Sequence, residues 1–286
     1  MKNFTFIVTE KFNNKTLKDF LKNIGISDRV LIKTKFGRIT INNKIAFVID
    51  KVYCGDKINI ALPDDIPNDY ATPINTPLSV LYKDEYFIAI DKPAGMLTHN
   101  TKADNKYSLE NALTAYFKPN NFVLRAINRL DKNTSGIVLV ALDEISACLI
   151  NEQHLDGRLQ KEYLAILNST PPNSHGFIEA PIMRESPTSL KRIVSPQGQY
   201  AKTEYYLVKE LNDGKCLVKF ILQTGRTHQI RVHSAHIGCP LYADYLYGTE
   251  IEDKCYYLCA NSLTFTHPFT NKVINVKSKI QLPENI

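Results

Sequence analysis

An arginine and an aspartate stand two residues apart in NRLDKNTSGIVLVA, residues 128–141, where a polar turn precedes an apolar run. The run 138–141 is typical of a short buried strand bounded by turn residues. A sheet would hold such a turn rigidly, so we expect Asp131 where a strand meets the surface, which is how a scaffold presents a reactive carboxylate. The alternative is that Arg129 and Asp131 are ordinary turn residues and that Asp131 caps local backbone amides.

Five further segments of the chain combine polar or charged residues with apolar residues. In order they are DKPAGMLTH (91–99), KEYLAIL (161–167), AKTEYYLV (201–208), GRTHQIRVHSAHIGCPLYADYLYG (225–248) and HPFT (267–270). In order and spacing, these segments and the turn resemble the motifs of the RluA-type RNA pseudouridine synthases. The resemblance extends over residues 78–286.

The elements that must position these motifs are mostly strands. Helix patterns occur at 108–117, after a capping Ser108, and at 143–157, ending at Gly157; strand patterns occur at 78–93, 138–141, 161–167, 203–209 and 216–223. Many strands and few helices predict an α+β fold whose sheet is mixed and mostly antiparallel. The resemblance implies the pseudouridine synthase fold.

The activity that the resemblance implies is an isomerisation in RNA. The bond from ribose C1′ to uracil N1 is broken and remade to C5, so nothing is oxidised and neither a cofactor nor a metal is expected. Asp131 matches the family's carboxylate, which acts either as a nucleophile or as the base that removes a sugar proton. Either role needs a charged carboxylate beside a cation, and the resemblance places Arg226 there. The alternative for Arg226 is a salt bridge that only ties two segments together.

Four other residues are implicated by the same resemblance. Tyr163 matches the family tyrosine, whose ring stacks on the flipped uracil, worth about 1–3 kcal/mol per base; the alternative is an ordinary core tyrosine. Arg129 resembles the arginine that enters the space vacated by the base. Lys92 and Arg231 are expected to contact phosphates, the alternative for both being a surface or bridging charge.

Two positions depart from the family pattern. Asn128 stands where the motif usually has histidine, and its amide forms hydrogen bonds but does not titrate near neutrality. If the histidine orients the loop, asparagine suffices, whereas if it contacts a phosphate as a cation, RNA affinity should fall. Asp91 replaces the usual asparagine before Lys-Pro. We expect activity because neither change touches Asp131, Tyr163 or Arg226.

The net positive charge lies in the first fifth of the chain. Residues 1–62 hold ten Lys and two Arg against four Asp and one Glu, a net +7, while the whole chain carries +6. Such a segment is a candidate for phosphate contacts. The alternative is a solvated lysine-rich surface.

The same segment has the pattern of a small module. A helix is predicted at 17–25, a second begins after Ser27, and strands are predicted at 37–43, with a turn at Asn42-Asn43, and at 55–62. This order resembles an S4-type RNA-binding module. In that family, a helix face and the following turn meet RNA, which implies contacts by Arg29, Lys33, Lys35 and Arg38.

Four prolines and three acids in residues 63–77 are typical of a semi-rigid linker. We therefore predict an RNA-binding domain at 1–62 and a catalytic domain at 78–286. No apolar run is long enough to span a bilayer, and the N-terminus lacks the pattern of a signal peptide, which favours a cytoplasmic protein. The six cysteines form no Cys-x-x-Cys pair, which favours reduced thiols over a zinc site.

The expected partner is structured RNA. By analogy with the S4-type module, ribosomal RNA, most of all that of the large subunit, is favoured over tRNA. Neither DNA nor a membrane is expected as a partner, and the protein is taken as a monomer. Two other functions stay open: an inactive RNA-binding protein of this fold acting in ribosome assembly, and a hydrolase that releases free uracil. The trio of Asp131, Tyr163 and Arg226 favours the isomerase.

Overall fold

The structure is a computed structural model that describes residues 1–66, 71–100, 107–118, 122–249, 251, 255–283 and 285. It contains a small N-terminal unit and a larger unit built on one sheet. Part of the predicted linker, residues 67–70, lies outside the described residues, and its other residues form neither helix nor strand. In the described part of the chain, no helix combines the length and apolar character needed to cross a membrane.

The N-terminal unit begins each of its two helices with a side-chain cap. Thr16 accepts a hydrogen bond from Asp19 N, Asp19 bonds back to Thr16, and Ser27 accepts from Val30 N, as a capping box and a serine cap should. The elements are β1 (Lys2–Ile7), β2 (Lys15–Thr16), α1 (Leu17–Asn23), α2 (Asp28–Lys33), β3 (Ile39–Ile41), β4 (Lys44–Ile45), β5 (Lys51–Val52) and β6 (Lys57–Leu62). The two predicted helices and the strands predicted at 37–43 and 55–62 are confirmed.

One antiparallel sheet, in the order β1-β6-β3-β4, closes the core of this unit, and β2 pairs with β5. Apolar residues of α1 and α2 pack on Phe4, Ile58 and Ile60 of the sheet. The predicted turn at Asn42 and Asn43 has φ values of 49° and 69°, the left-handed region that asparagine tolerates better than most residues. This turn joins β3 to β4.

The larger unit is a nine-stranded sheet flanked by helices, with the strand order β11-β14-β15-β10-β16-β9-β8-β7 and β17 paired to β16. Its elements are β7 (Ser79–Lys83), β8 (Phe87–Lys92), α3 (Leu109–Tyr116), β9 (Ser135–Ala141), α4 (Glu144–Leu155), β10 (Gln160–Leu167), β11 (His175–Glu179), β12 (Ile182–Arg184), β13 (Arg192–Val194), β14 (Lys202–Glu210), β15 (Cys216–Leu222), α5 (Gln229–His236), β16 (Leu258–Thr266) and β17 (Val273–Lys277). Of the described pairings in this sheet, only β9 with β16 is parallel. The predicted mixed, mostly antiparallel α+β fold is confirmed.

The parallel pairing depends on a glycine. At Gly136 the backbone has φ +103°, and a Cβ atom there would lie 2.4 Å from the carbonyl oxygen of Ala260. Only glycine fits both the conformation and the close approach. Gly136 therefore sets how closely β9, which follows the Asp131 turn, meets the middle of the sheet.

The two units share a core and an ion-pair cluster at the start of α4. Ile145 of α4 is fully buried among apolar residues of the N-terminal unit, and Phe4 packs on Phe269 with ring centroids 5.6 Å apart. Glu144 Oε1 lies 2.6 Å from Lys33 Nζ and 3.5 Å from Arg29 Nε. The first turn of α4 thus fixes the N-terminal unit on the larger one.

Candidate active site

Asp131 lies on the turn that enters β9, and neighbouring backbone and side-chain groups hold this turn. Thr134 N–H donates to the Asp131 carbonyl oxygen over 3.1 Å. The Thr98 hydroxyl donates to Leu130 O at 2.8 Å and accepts from Leu130 N at 3.2 Å. The segment 91–99 therefore packs directly against the residue before Asp131.

Asn128 anchors the same turn to the sheet. Its side chain is buried; Nδ2 donates to Ile137 O at 2.8 Å and Oδ1 accepts from Leu139 N at 2.9 Å. An amide has a donor and an acceptor side by side, so it satisfies both backbone groups of β9 at once. Of the two roles considered for the usual histidine, orienting the loop and contacting a phosphate, Asn128 performs the first.

Lys92 does not lie where a phosphate could reach it, which corrects the sequence prediction. Its side chain is fully buried, and Nζ donates to the carbonyl oxygens of Pro93, Met96 and Lys132 at 2.8–3.2 Å. Burial lowers the pKa of Lys92 to about 7, although the nearby Asp131 carboxylate opposes this shift. Lys92 is a cross-link between the 91–99 loop and the turn of Asp131.

A pocket of about 360 Å³ opens beside this turn. Such a volume lies at the small end of the range found for ligand sites. The pocket is lined by Asp131 and Arg129 from the turn, His99, Tyr163 and Lys161 of β10, His154 of α4, residues 225–231 and apolar side chains including Leu130, Leu222 and Leu258. The structure thus brings Asp131, Tyr163 and Arg226 to one pocket, as the resemblance implies.

The cation beside Asp131 is Arg231, not Arg226. Arg231 Nη1 lies 3.8 Å from Asp131 Oδ2. Arg231 Nε and Nη2 each donate to an oxygen of Asp244 at 2.7 Å, and both of these side chains are buried. Asp244 thereby fixes the guanidinium, whose remaining nitrogen faces the turn. The expected phosphate contact of Arg231 is corrected as well, because the group is enclosed by two carboxylates.

Arg226 points away from Asp131 because the chain has not yet entered α5 at this residue. Its Nε donates to Tyr200 O at 3.0 Å and its Nη1 donates to Gln199 Oε1 at 3.1 Å. Arg226 lines both the pocket and an adjoining cleft of about 390 Å³ that contains Arg184 and Arg192. It therefore stands on the border between these two spaces.

His228 is a second neighbour of Asp131 that sequence reasoning missed. It precedes α5 in a left-handed conformation, φ 59°, and its Nε2 is 3.7 Å from Asp131 Oδ2. His228 Nδ1 lies 2.7 Å from the Tyr247 hydroxyl, which itself accepts from Arg192 N. Burial lowers the pKa of His228, so the neutral ring predominates near pH 7. A Tyr247 O–H that donates to Nδ1 leaves Nε2–H facing the carboxylate.

The ring contacts of the pocket surround Arg231 with aromatic groups. The ring centroid of Tyr256 lies 4.2 Å from the guanidinium carbon of Arg231, and the Tyr256 hydroxyl is 3.3 Å from Thr134 Oγ1. Burial, then the negative charge of Asp131, raises the pKa of Tyr163, which stays a neutral phenol. Arg129 is exposed at the pocket mouth, where Nη2 donates to Thr227 Oγ1 at 3.3 Å.

The four N-terminal residues expected to meet RNA divide into two pairs. Arg29 and Lys33 pair with Glu144, as described above, so their charge serves the contact between units. Arg38 Nη1 donates to Lys33 O at 3.4 Å, and Lys35 is exposed. The described residues include no group of three or more His, Cys, Asp or Glu side chains that could hold a metal ion.

The chain is similar to known proteins over most of its length. Residues 86–236 match the family model for RNA pseudouridylate synthase. The chain is 31% identical to the RNA pseudouridine synthase YjbO of Bacillus subtilis (strain 168), with 95% of this chain and 96% of that protein covered. It is 30% identical to the ribosomal large subunit pseudouridine synthase C of Rickettsia bellii (strain RML369-C), with 81% and 80% covered.

A solved structure shares the fold. Human RNA pseudouridylate synthase domain containing 1 aligns with a TM-score of 0.60 at 24% identity, covering 76% of this chain and 86% of that one. The family match spans β8 to α5, which carry both Asp131 and Arg231. The chain therefore belongs to the RluA-type RNA pseudouridine synthases and is an isomerase that acts on RNA.

Proposed function

We propose that this enzyme isomerises a uridine of large-subunit ribosomal RNA and that Asp131 is its reacting carboxylate. The observation that carries the role of Asp131 is the guanidinium of Arg231, which Asp244 fixes and which faces Asp131 inside the pocket. The RNA class is supported by the Rickettsia relative, which is named for the large subunit. We also propose that the enzyme works as a monomer in the cytoplasm; sedimentation of the purified protein would test its oligomeric state.

The reaction uses the carboxylate in one of two ways. As a nucleophile, Asp131 attacks C1′, and the C1′–N1 bond breaks with its electron pair left on uracil; C5 of the turned base then attacks C1′ and displaces the carboxylate. As a base, Asp131 takes the C2′ proton while the same bond breaks and returns it after C5 has bonded to C1′. In both routes C5 loses a proton and N1 gains one. Deuterium at C2′ slows only the second route.

The other residues of the pocket stabilise charge or hold the base. Arg231 balances the negative charge of Asp131 until the carboxylate reacts. Tyr163 offers an aromatic face to the detached uracil, which a flipping enzyme must hold against loss to solvent. Arg129, at the pocket mouth, occupies the place that the base leaves in the RNA.

The N-terminal unit, residues 1–62, is the second RNA-binding part of the proposal, with residues 78–286 as the catalytic part. Phe36 is 97% exposed and stands between Lys35 and Arg38, while Phe47 nearby in the chain is 64% exposed. Exposed aromatic rings among cations suit stacking with unpaired bases and contact with phosphates. Lys35 and Arg38 are the contacts we retain for this surface.

Pseudouridine mapping of total RNA by carbodiimide adduct stops tests the function. Cells lacking the gene should lose the signal at particular uridines, and the native gene but not Asp131→Asn should restore it. Asp213→Asn is a matched control, because Asp213 is an exposed turn residue that does not line the pocket. Loss of a signal only in tRNA or small-subunit RNA would overturn the RNA class; restoration by Asp131→Asn would overturn the role of the carboxylate.

A further inference from the structure

Lys161 is an ammonium group buried in the wall of the catalytic pocket. Its relative exposure is 5%, and it lies two residues before Tyr163 on β10. Because strand side chains alternate between faces, these two residues share a face, and both line the pocket. No carboxylate of the described residues forms an ion pair with Lys161 within 4 Å. The charge is therefore uncompensated by the protein on this wall.

His154 holds the ammonium in place. Lys161 Nζ lies 2.9 Å from His154 Nε2, and burial, then the charge of Lys161, lowers the pKa of His154. The neutral imidazole accepts one of the three ammonium N–H groups. Two N–H groups stay available to a ligand.

Gly225 leaves the ammonium open to the pocket. A Cβ atom at this residue would lie 3.6 Å from Lys161 Nζ and 3.8 Å from His154 Nε2, so any larger side chain would extend into the space beside the ammonium. The next residue is Arg226, whose charge also lowers the pKa of His154. One wall of the pocket thus combines two cations and a neutral histidine.

Such a wall is costly without a ligand. Burial lowers the pKa of Lys161 to about 8, because an ammonium loses hydration that the protein does not replace. An anion with several oxygen acceptors would restore those hydrogen bonds and balance the charge. In RNA, the groups with this chemistry are the backbone phosphates, which fix the register of a bound strand.

We propose that Lys161, held by His154 and uncovered by Gly225, binds a backbone phosphate of the flipped nucleotide and so positions its ribose at Asp131. The phosphate is joined to the same ribose that Asp131 must reach, and Lys161 and Asp131 line one pocket. Lys161 is thus a positioning residue. The inference rests on the proposed role of Asp131 but does not depend on which RNA class is modified.

The test uses total RNA from cells lacking the gene, which contains the unmodified target whatever its class. Single-turnover pseudouridine formation is measured against enzyme concentration at several KCl concentrations. Lys161→Met should raise the half-saturating enzyme concentration at least tenfold and reduce the salt slope by about 0.7–0.9, the loss of one phosphate contact. Lys219→Met is the matched control, because Lys219 lies on the neighbouring strand β15 and does not line the pocket.

A pH profile separates this role from a structural one. Between pH 7 and 9 the native enzyme should lose affinity as the ammonium loses its proton, while Lys161→Arg should retain its charge and stay level. The titratable groups beside Lys161 on this wall are His154, whose pKa is lowered by burial, and Tyr163, whose pKa is raised by burial, so neither changes charge in that range. Half-saturation like that of the native enzyme in Lys161→Met, or weaker binding with an unchanged salt slope, would overturn the phosphate assignment. Thermal melting confirms that each variant is folded.

Discussion

The guanidinium of Arg231 contacts two carboxylates, closely that of Asp244 and at a longer distance that of Asp131. Two of its nitrogens donate to Asp244 at 2.7 Å, and the third faces Asp131 Oδ2 at 3.8 Å. The bidentate pair is buried and sets the orientation of the cation. The longer contact leaves Asp131 more exposed, with 26% of its side chain accessible to solvent, so that a substrate can still reach the carboxylate.

Arg231→Lys should therefore retain the charge and lose the geometry. A lysine is a point charge that cannot make the bidentate contact with Asp244 and also face Asp131. We expect single-turnover pseudouridine formation to slow by at least about 100-fold and stability to fall by about 1–3 kcal/mol. Rate measurement and urea unfolding give the two values. A native rate in Arg231→Lys would contradict the arrangement.

Arg226→Ala should have the opposite profile. Arg226 contacts Tyr200 and Gln199 at the border of the adjoining cleft and not Asp131. We expect weaker RNA binding with a shallower salt dependence, because one cation is lost, and a maximal single-turnover rate within about threefold of the native one. Enzyme titration at saturating and limiting concentrations separates the two. A large loss of the maximal rate would show instead that Arg226 acts beside the Asp131 carboxylate in the reaction.

Asn128→Ala should lower stability rather than RNA affinity alone. The substitution leaves Ile137 O and Leu139 N buried without the partners they have now, at a cost of about 1–3 kcal/mol for each unsatisfied group. Urea unfolding measures the loss. Asn173→Ala, at an exposed position, is the control and should leave the unfolding free energy unchanged.

Lys92 should make stability rise with pH above neutrality. Its pKa in the folded protein is about 7 and that of an unfolded lysine is about 10.4, so between these values the unfolded chain binds more protons. Stability from this group is then lowest below pH 7 and increases towards pH 10. Unfolding free energies of the native protein and Lys92→Met at pH 7, 8 and 9 should diverge, with the native slope steeper. Parallel curves would contradict the burial of a charged Lys92.

Phe36→Asn should raise the stability of the protein and weaken its affinity for RNA. Phe36 has a φ of 64°, a left-handed conformation that asparagine adopts more readily than phenylalanine, at a difference of the order of 1 kcal/mol. We expect a higher melting temperature and an RNA affinity weaker by about 1–3 kcal/mol through the loss of stacking. Unchanged RNA affinity would exclude the ring from the RNA-binding surface.

The parts of the fold that follow local rules were predictable from the sequence. Helix starts at Thr16, Ser27, Ser108 and Asp143 are capped by their own side chains, and short polar caps before apolar runs are visible in any sequence. The strands β1, β12, β13 and β17 were missed. β1 pairs with β6, which is distant in the chain, whereas β12 and β13 are only three residues long and β17 has one buried side chain, so their local patterns are weak.

The sequence predicted which residues line the pocket better than it predicted how their side chains are arranged. Arg226 and Arg231 occur in one signature, and their spacing does not reveal that α5 begins between them, which turns one away from Asp131 and the other towards it. Lys92 was expected at the surface because buried lysines are rare. Its burial is possible because three carbonyl groups accept from its ammonium, and one of them, Lys132 O, is forty residues away in the sequence. The position of Lys161 two residues before Tyr163 in a predicted strand was a usable signal, because it places both side chains on the same face of the strand.

If the N-terminal unit binds RNA as we propose, its docking on α4 limits which RNAs this enzyme can accept. The shared core around Ile145 and the cluster at Glu144 fix the separation between Phe36 and the catalytic pocket, so these two surfaces do not move apart to fit a substrate. An RNA that touches both must already present an unpaired stacking partner and the reactive uridine at one set separation. Lengthening the intervening helix of such an RNA by a base pair would turn and displace one feature relative to the other, and the enzyme would select against it by distance without reading the added bases.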